Sequence, residues 1–132
     1  TRRLVAEEGG FLYDSDSYAD ELPYWEQVAG RDQLIIPYTL DANDFKFLLL
    51  NGFVTADQFA DYLIASVDQL RAEGGRMMSV GLHCRIVGKP GRIGGLARFL
   101  DHVAACGDVW VTTREQIALH WREHYPPGAS GV

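Results

Sequence analysis

Short apolar, β-prone runs alternate with longer amphipathic segments along this chain, and that alternation limits its fold more than any other feature. Four runs read as strands: residues 11–13 (Phe11-Leu12-Tyr13), 34–39 (Leu34-Ile35-Ile36-Pro37-Tyr38-Thr39), 77–82 (Met77-Met78-Ser79-Val80-Gly81-Leu82) and 109–111 (Val109-Trp110-Val111). Pro37 argues for an edge or a strand end at the second run, because proline cannot donate to a ladder. The clearest helix spans residues 55–73. Thr55 is its N-cap, with Gln58 three positions on as in a capping box. Phe59, Tyr62, Leu63, Val67 and Leu70 form one stripe, and Gly74-Gly75 stops the helix. Further helices are expected over residues 1–8 (ended by Gly9-Gly10), 93–105 (burying Leu96, Phe99, Leu100 and Val103) and 114–124 (capped by Thr113). Residues 45–50 read as a short apolar helical turn, and residues 19–33, with Pro23, Tyr24 and Trp25, as a long irregular loop.

Strands alternating with helices imply an α/β fold with parallel pairing and right-handed crossovers. Four strands do not close a barrel, which takes about eight strands and ~250 residues. The chain is therefore expected to form a small open sheet or to be the C-terminal half of something larger. It begins on Thr1, already in a helix, which favours a fragment. Residues 1–125 are expected to form the folded part and residues 126–132, Pro126-Pro127-Gly128-Ala129-Ser130-Gly131-Val132, a fraying tail.

Composition narrows the function classes. With 47% apolar and 23% charged residues the chain reads as an ordinary globular one, and a net charge of −6 without any basic run argues against nucleic acid. No apolar stretch approaches the ~20 residues of a membrane span. Cys84 and Cys106 lack CxxC spacing, so two reduced, mostly buried thiols in a cytoplasmic protein are expected.

Polar groups stand at each expected strand end: Asp14 and Asp16 after the first, Asn43 and Asp44 after the second, His83 after the third and Thr112 after the fourth. In a parallel sheet those ends share one rim, where α/β folds place their chemistry. His83 can shuttle a proton there, or simply hydrogen-bond its loop. Asp14 and Asp16 either fix its tautomer or serve the turn after their strand. Asn43 and Asp44 precede a helix, a capping position, and are also candidate ligand contacts. Arg85 and Arg92 could clamp a carboxylate or a polar heterocycle, or pair with neighbouring acids. Trp25 could lid a pocket or pack its loop down. His102, His120 and His124 fall on helices at no ligand spacing, and neither HExxH nor paired CxxC occurs, so no metal site is expected from these residues alone.

The segments Thr1-Arg2-Arg3-Leu4-Val5-Ala6-Glu7-Glu8-Gly9-Gly10-Phe11-Leu12-Tyr13-Asp14-Ser15-Asp16-Ser17-Tyr18, Leu22-Pro23-Tyr24-Trp25, Pro37-Tyr38-Thr39-Leu40-Asp41 with Asn43-Asp44, and Met77-Met78-Ser79-Val80-Gly81-Leu82-His83-Cys84-Arg85 with Gly88 and Pro90-Gly91-Arg92 resemble the PuuE-type allantoinases. These are members of the polysaccharide-deacetylase (NodB-like, carbohydrate esterase family 4) superfamily. The resemblance implies the C-terminal half of a distorted (β/α) barrel and an enzyme that opens the ring amide of allantoin to give allantoate. It implies that Leu82 and His83, or more loosely Gly81-Leu82-His83, match the superfamily's Leu-x-His motif, with His83 as general acid. It also implies that Asp16, or next Asp14, is the aspartate that tunes that histidine. Relatives that deacetylate amino sugars use a divalent metal, whereas the PuuE-like branch is understood to need no cofactor. The motifs carrying the base and the histidine pair are absent here. The expected partners are therefore a small ureide substrate and a second chain or segment supplying the N-terminal half, in a homo- or hetero-oligomer. The alternatives are a metal-dependent polysaccharide or chitin deacetylase, and an inactive fragment acting as an assembly or binding module.

Overall fold

The computed structural model describes residues 1–128, and so only the first part of the expected tail; residues 129–132 lie outside the described residues. The element order is α1 (Arg2–Glu8), β1 (Tyr24–Val28), β2 (Arg31–Ile35), a 3-10 turn (Asp44–Leu48), α2 (Ala56–Glu73), α3 (Cys84–Val87), α4 (Pro90–Ala105) and α5 (Arg114–His124). The chain divides into two compact units, Thr1–Tyr38 with Val111–Val132, and Thr39–Trp110.

In the first unit α1 ends where Gly9 takes a left-handed conformation (φ 78°) and its N–H returns to the Val5 carbonyl. Contrary to the irregular loop expected over residues 19–33, β1 and β2 form an antiparallel hairpin, in register from Tyr24↔Ile35 to Val28↔Arg31. The turn is Ala29-Gly30, both at positive φ (52° and 75°), as a two-residue hairpin connection requires. The signal was weak because Gln27, Asp32 and Arg31 are polar and alanine is a poor residue at the first turn position. Pro37 lies beyond the end of β2, as a strand-end proline should. Leu34, Ile35 and Ile36 are wholly buried. Helix α5 begins on a complete capping box formed by Thr113 and Gln116.

The second unit is built on α2 packed against α4. Thr55 and Gln58 close the capping box of α2, as its sequence foretold. Phe59, Leu63 and Val67 of α2 meet Phe99 and Val103 of α4, with Ala42 and Val87 completing the core and Phe47, Phe53, Met78, Val80, Leu96 and Val109 packed around it. Tyr62, though on the predicted stripe, stays half-exposed, its hydroxyl bound to Asp41 Oδ2 at 2.7 Å. Leu100 is likewise exposed rather than buried. Helix α4 starts three residues earlier than the periodicity indicates, because Pro90 sits in its first turn, where a missing N–H carries no penalty.

The parallel ladder expected from four strands does not form among the described residues. Two isolated parallel bridges form, Asp14↔Ile35 just after the run at 11–13 and Asn43↔Gly81 within the run at 77–82, and residues 109–111 form none. A β-prone run becomes a strand only where a ladder of backbone hydrogen bonds runs along it, and residues 77–80 carry no such ladder among those described. The chain is thus a mixed helix-and-strand fold in which parallel contact survives at single points.

Candidate active site

The bridge at Gly81 sets the site. The Gly81 N–H donates to the Ala42 carbonyl at 2.8 Å and the Asp44 N–H donates to the Gly81 carbonyl at 2.9 Å. This register lays residues 42–44 alongside residue 81, two positions before His83. Asn43 then turns the chain: its Oδ1 accepts from the Phe45 N–H at 2.9 Å and caps the 3-10 turn. Asp44, the next residue, is carried inward and is wholly buried.

Asp44 is fully engaged there. Its Oδ2 accepts the backbone N–H of His83 at 2.8 Å and of Val87 at 3.1 Å, and its Oδ1 accepts from His83 Nδ1 at 2.7 Å. His83 is the N-cap residue of α3 but gives that helix no side-chain cap. Asp44 fills this role from another segment, satisfying the His83 amide that the helix start leaves without a partner and sharing the Val87 N–H with the His83 carbonyl. The same carboxylate therefore orients both the peptide and the ring of His83.

A carboxylate accepting two amide donors presents oxygen lone pairs, so the Nδ1 of His83 is the donor toward it. This fixes the tautomer and leaves Nε2 as the working nitrogen. The His83 side chain is 46% exposed. The half-exposed Phe45 ring flanks it, centroid to centroid 6.2 Å in a tilted arrangement. A half-exposed imidazole with a buried carboxylate behind it is suited to giving or taking one proton.

The other candidates are placed as follows. Asp14 is not the partner of His83. Its Oδ2 accepts from Arg2 Nε at 2.8 Å and its Oδ1 from the Asp16 N–H at 2.6 Å. Burial alone would raise its pKa, but the Arg2 and Asp16 bonds outweigh it and hold the carboxyl below its ordinary range. The Asp16 carbonyl accepts from Arg2 Nη2 at 2.7 Å, and both aspartates belong to the first unit, as turn and ion-pair residues. Asp44, expected as a cap or a ligand contact, is instead the positioning residue of the histidine, while Asn43 is a cap. The clue was present in the sequence: successive strands of an α/β unit are the usual neighbours, which favours the second strand's end over the first's.

Trp25 is not on a mobile loop but in β1, where its Nε1 donates to the Tyr125 carbonyl at 2.7 Å and its ring carries the Arg122 guanidinium at 5.2 Å. Arg92 donates to the Ile86 carbonyl at 3.2 Å and lies 4.6 Å over the Phe47 ring, tying the start of α4 to α3. Arg85 lies exposed on α3, two residues after His83. Cys84 is exposed, not buried as expected, and Cys106 is half-buried; both are free thiols. Among the described residues no helix is long and apolar enough to cross a membrane.

The chain is 41% identical, over 96% of its length, to a protein of Schizosaccharomyces pombe provisionally named a polysaccharide deacetylase, of which it covers 45%. Among solved structures it matches PuuE allantoinase at 49% identity and a TM-score of 0.90, covering 95% of this chain and 43% of that one. It matches a probable polysaccharide deacetylase from Pseudomonas aeruginosa PAO1 at 48% identity and a TM-score of 0.89, again over 95% of this chain and 43% of the other. A third, a provisionally named polysaccharide deacetylase from Mycobacterium smegmatis, matches at 29% identity and a TM-score of 0.79, over 92% of this chain and 44% of the other. No protein-family model matches the chain. The resemblance read from the sequence thus holds in both sequence and structure. The chain spans a little under half the length of each of these relatives.

Proposed function

We propose that this chain carries the proton-donating half of a hydrolase site that opens the cyclic amide of allantoin to give allantoate. The observation behind the proposal is the Asp44–His83 pair, a half-exposed imidazole held through Nδ1 at 2.7 Å by a buried carboxylate. Water adds to the ring carbonyl and gives one proton to a base in the missing half, the C–N bond breaks, and the leaving nitrogen takes the Nε2 proton of His83, which enters the step as the imidazolium and leaves it as the Nδ1–H tautomer held by Asp44. Without that proton the step would expel an amide anion, a poor leaving group. Similarity to PuuE allantoinase supports the substrate.

The remaining wall of the site is assigned to the N-terminal half of a distorted (β/α) barrel, supplied by a partner chain or segment. Leu48, Leu49, Leu50 and Val54, all exposed around the 3-10 turn, offer that half an apolar contact. By itself the 132-residue chain is expected to be inactive.

A metal-dependent polysaccharide or chitin deacetylase is the second reading, favoured by the names of the other relatives. The residues present at the site do not suit a metal: Asp44 is saturated by three donors and His83 is the remaining nitrogen ligand beside it. The test joins the chain to the missing half and assays allantoin against acetylated chito-oligosaccharide, with and without chelator. Turnover of allantoin that chelator leaves intact and His83→Ala lowers by about 10²–10⁴-fold supports the first reading. Deacetylation abolished by chelator supports the second, and activity indifferent to His83→Ala refutes both.

A further inference from the structure

Helices α2 and α4 bring together three side chains that the proposed hydrolase site does not use. We propose that Asp68, His102 and Cys106 form a binding site for a zinc-class divalent cation that clips α2 to the end of α4. One ligand atom from each, a carboxylate oxygen, an imidazole nitrogen and a thiol sulfur, lies within 4.8 Å of the other two, and the site is empty. His102 and Cys106 are four residues apart at the end of α4, so they project from one face. Asp68 comes from α2, and no linear spacing could have revealed it.

The donor set is the mixed nitrogen, sulfur and oxygen one that zinc accepts and that magnesium or calcium does not. Zinc bond lengths place the atoms of a tetrahedral set about 3.3–3.8 Å apart, so the three need to close by little more than about 1 Å. They are already steered into place. His102 Nε2 bonds Asp68 Oδ1 at 2.8 Å, and Cys106 Sγ bonds the His102 carbonyl at 3.2 Å. Arg71 backs the carboxylate, with Nη1 3.4 Å from Asp68 Oδ1 and Nε 2.9 Å from Asp108 Oδ1, an outer partner of the kind that orients a ligating group. Asp68 is exposed and the other two are half-buried, which gives a cation a way in.

On binding, the His102 ring proton moves from Nε2 to Nδ1 by exchange with solvent, and the Nε2–Oδ1 hydrogen bond gives way to two coordinate bonds. The Cys106 thiol releases its proton to solvent and coordinates as thiolate, and water takes the fourth position. The helices are already held together elsewhere. Arg98 reaches from α4 to Asp57 at 2.9 Å and to Asp61, and Gly95 brings the backbone of α4 against the Ala56 carbonyl. The cation would fasten the opposite end of the same pair.

The test uses the full chain, reduced, with Cys84→Ser so that Cys106 is the remaining thiol. Cobalt(II) is the spectroscopic probe and zinc its competitor. The expected result is a thiolate-to-cobalt charge-transfer band that saturates at a single equivalent and is displaced by zinc, together with a melting temperature that rises with zinc concentration. Cys106→Ala is expected to abolish the band. His102→Ala and Asp68→Asn are each expected to weaken zinc binding by about 100-fold or more, since loss of an outer partner already weakens it 10–100-fold. Unchanged far-ultraviolet dichroism certifies that each variant is folded. Absence of the band overturns the proposal, as does a band that survives Cys106→Ala or zinc affinity indifferent to His102→Ala.

Discussion

The carboxylate of Asp44 grips His83 twice, by its backbone N–H at 2.8 Å and by its ring Nδ1 at 2.7 Å, and it does so from complete burial. One acid thus fixes where the residue sits and which way its ring faces. That double hold separates the stability role of Asp44 from the chemical role proposed for His83.

Asp44→Ala is expected to destabilise the fold by roughly 1–3 kcal/mol, because it orphans the part-buried amide of His83, while the Val87 N–H keeps the His83 carbonyl as an acceptor at 3.1 Å. His83→Ala removes one bond from a half-exposed ring and should lose no more than ~1.5 kcal/mol. Urea unfolding of the two variants measures the contrast. Equal losses would mean that Asp44 does not carry the start of α3.

Gly95→Ala should destabilise although alanine favours helix by about 1 kcal/mol. A Cβ at residue 95 would lie 2.3 Å from the Ala56 carbonyl oxygen, a backbone atom that cannot swing aside. Forcing the helices apart is expected to lose a net ~1–3 kcal/mol, seen as a lower denaturant midpoint at unchanged slope.

Ala29→Asn should stabilise the hairpin by ~0.5–1 kcal/mol. Ala29 holds φ at 52° beside Gly30, and asparagine tolerates the left-handed region better than alanine does. A melting temperature at or below that of the parent chain would count against the turn as described.

Stability should also fall at both pH extremes, through different groups. The hydrogen bond to Asp41, then burial, push Tyr62 up to about 12. A raised tyrosine stabilises the fold fully below its unfolded pKa near 10, and that contribution disappears as pH climbs through about 12. Tyr62→Phe should flatten the decline between those values. Asp14 is depressed, so its contribution is present above the unfolded value of 3.8 and is lost as pH falls below it. Arg2→Ala should blunt that acid-side loss. Both are read from unfolding midpoints across pH.

By itself the sequence determined what neighbours along the chain can decide. It determined the Thr55–Gln58 and Thr113–Gln116 capping boxes, the glycine stop after α1, and the stripe of Phe59, Leu63 and Val67. Those features depend on spacings of three or four residues, over which backbone geometry is nearly fixed. Tertiary structure decided which acid reaches His83, whether residues 77–82 become a strand, and that Asp68 joins His102 and Cys106. Each of these is settled by register between segments distant in sequence. In the first, a single bridge from Asn43 to Gly81 chose Asp44 over Asp14 and Asp16. Such registers depend on where hydrogen-bonding partners and buried volume coincide in space, which no local pattern of residues encodes.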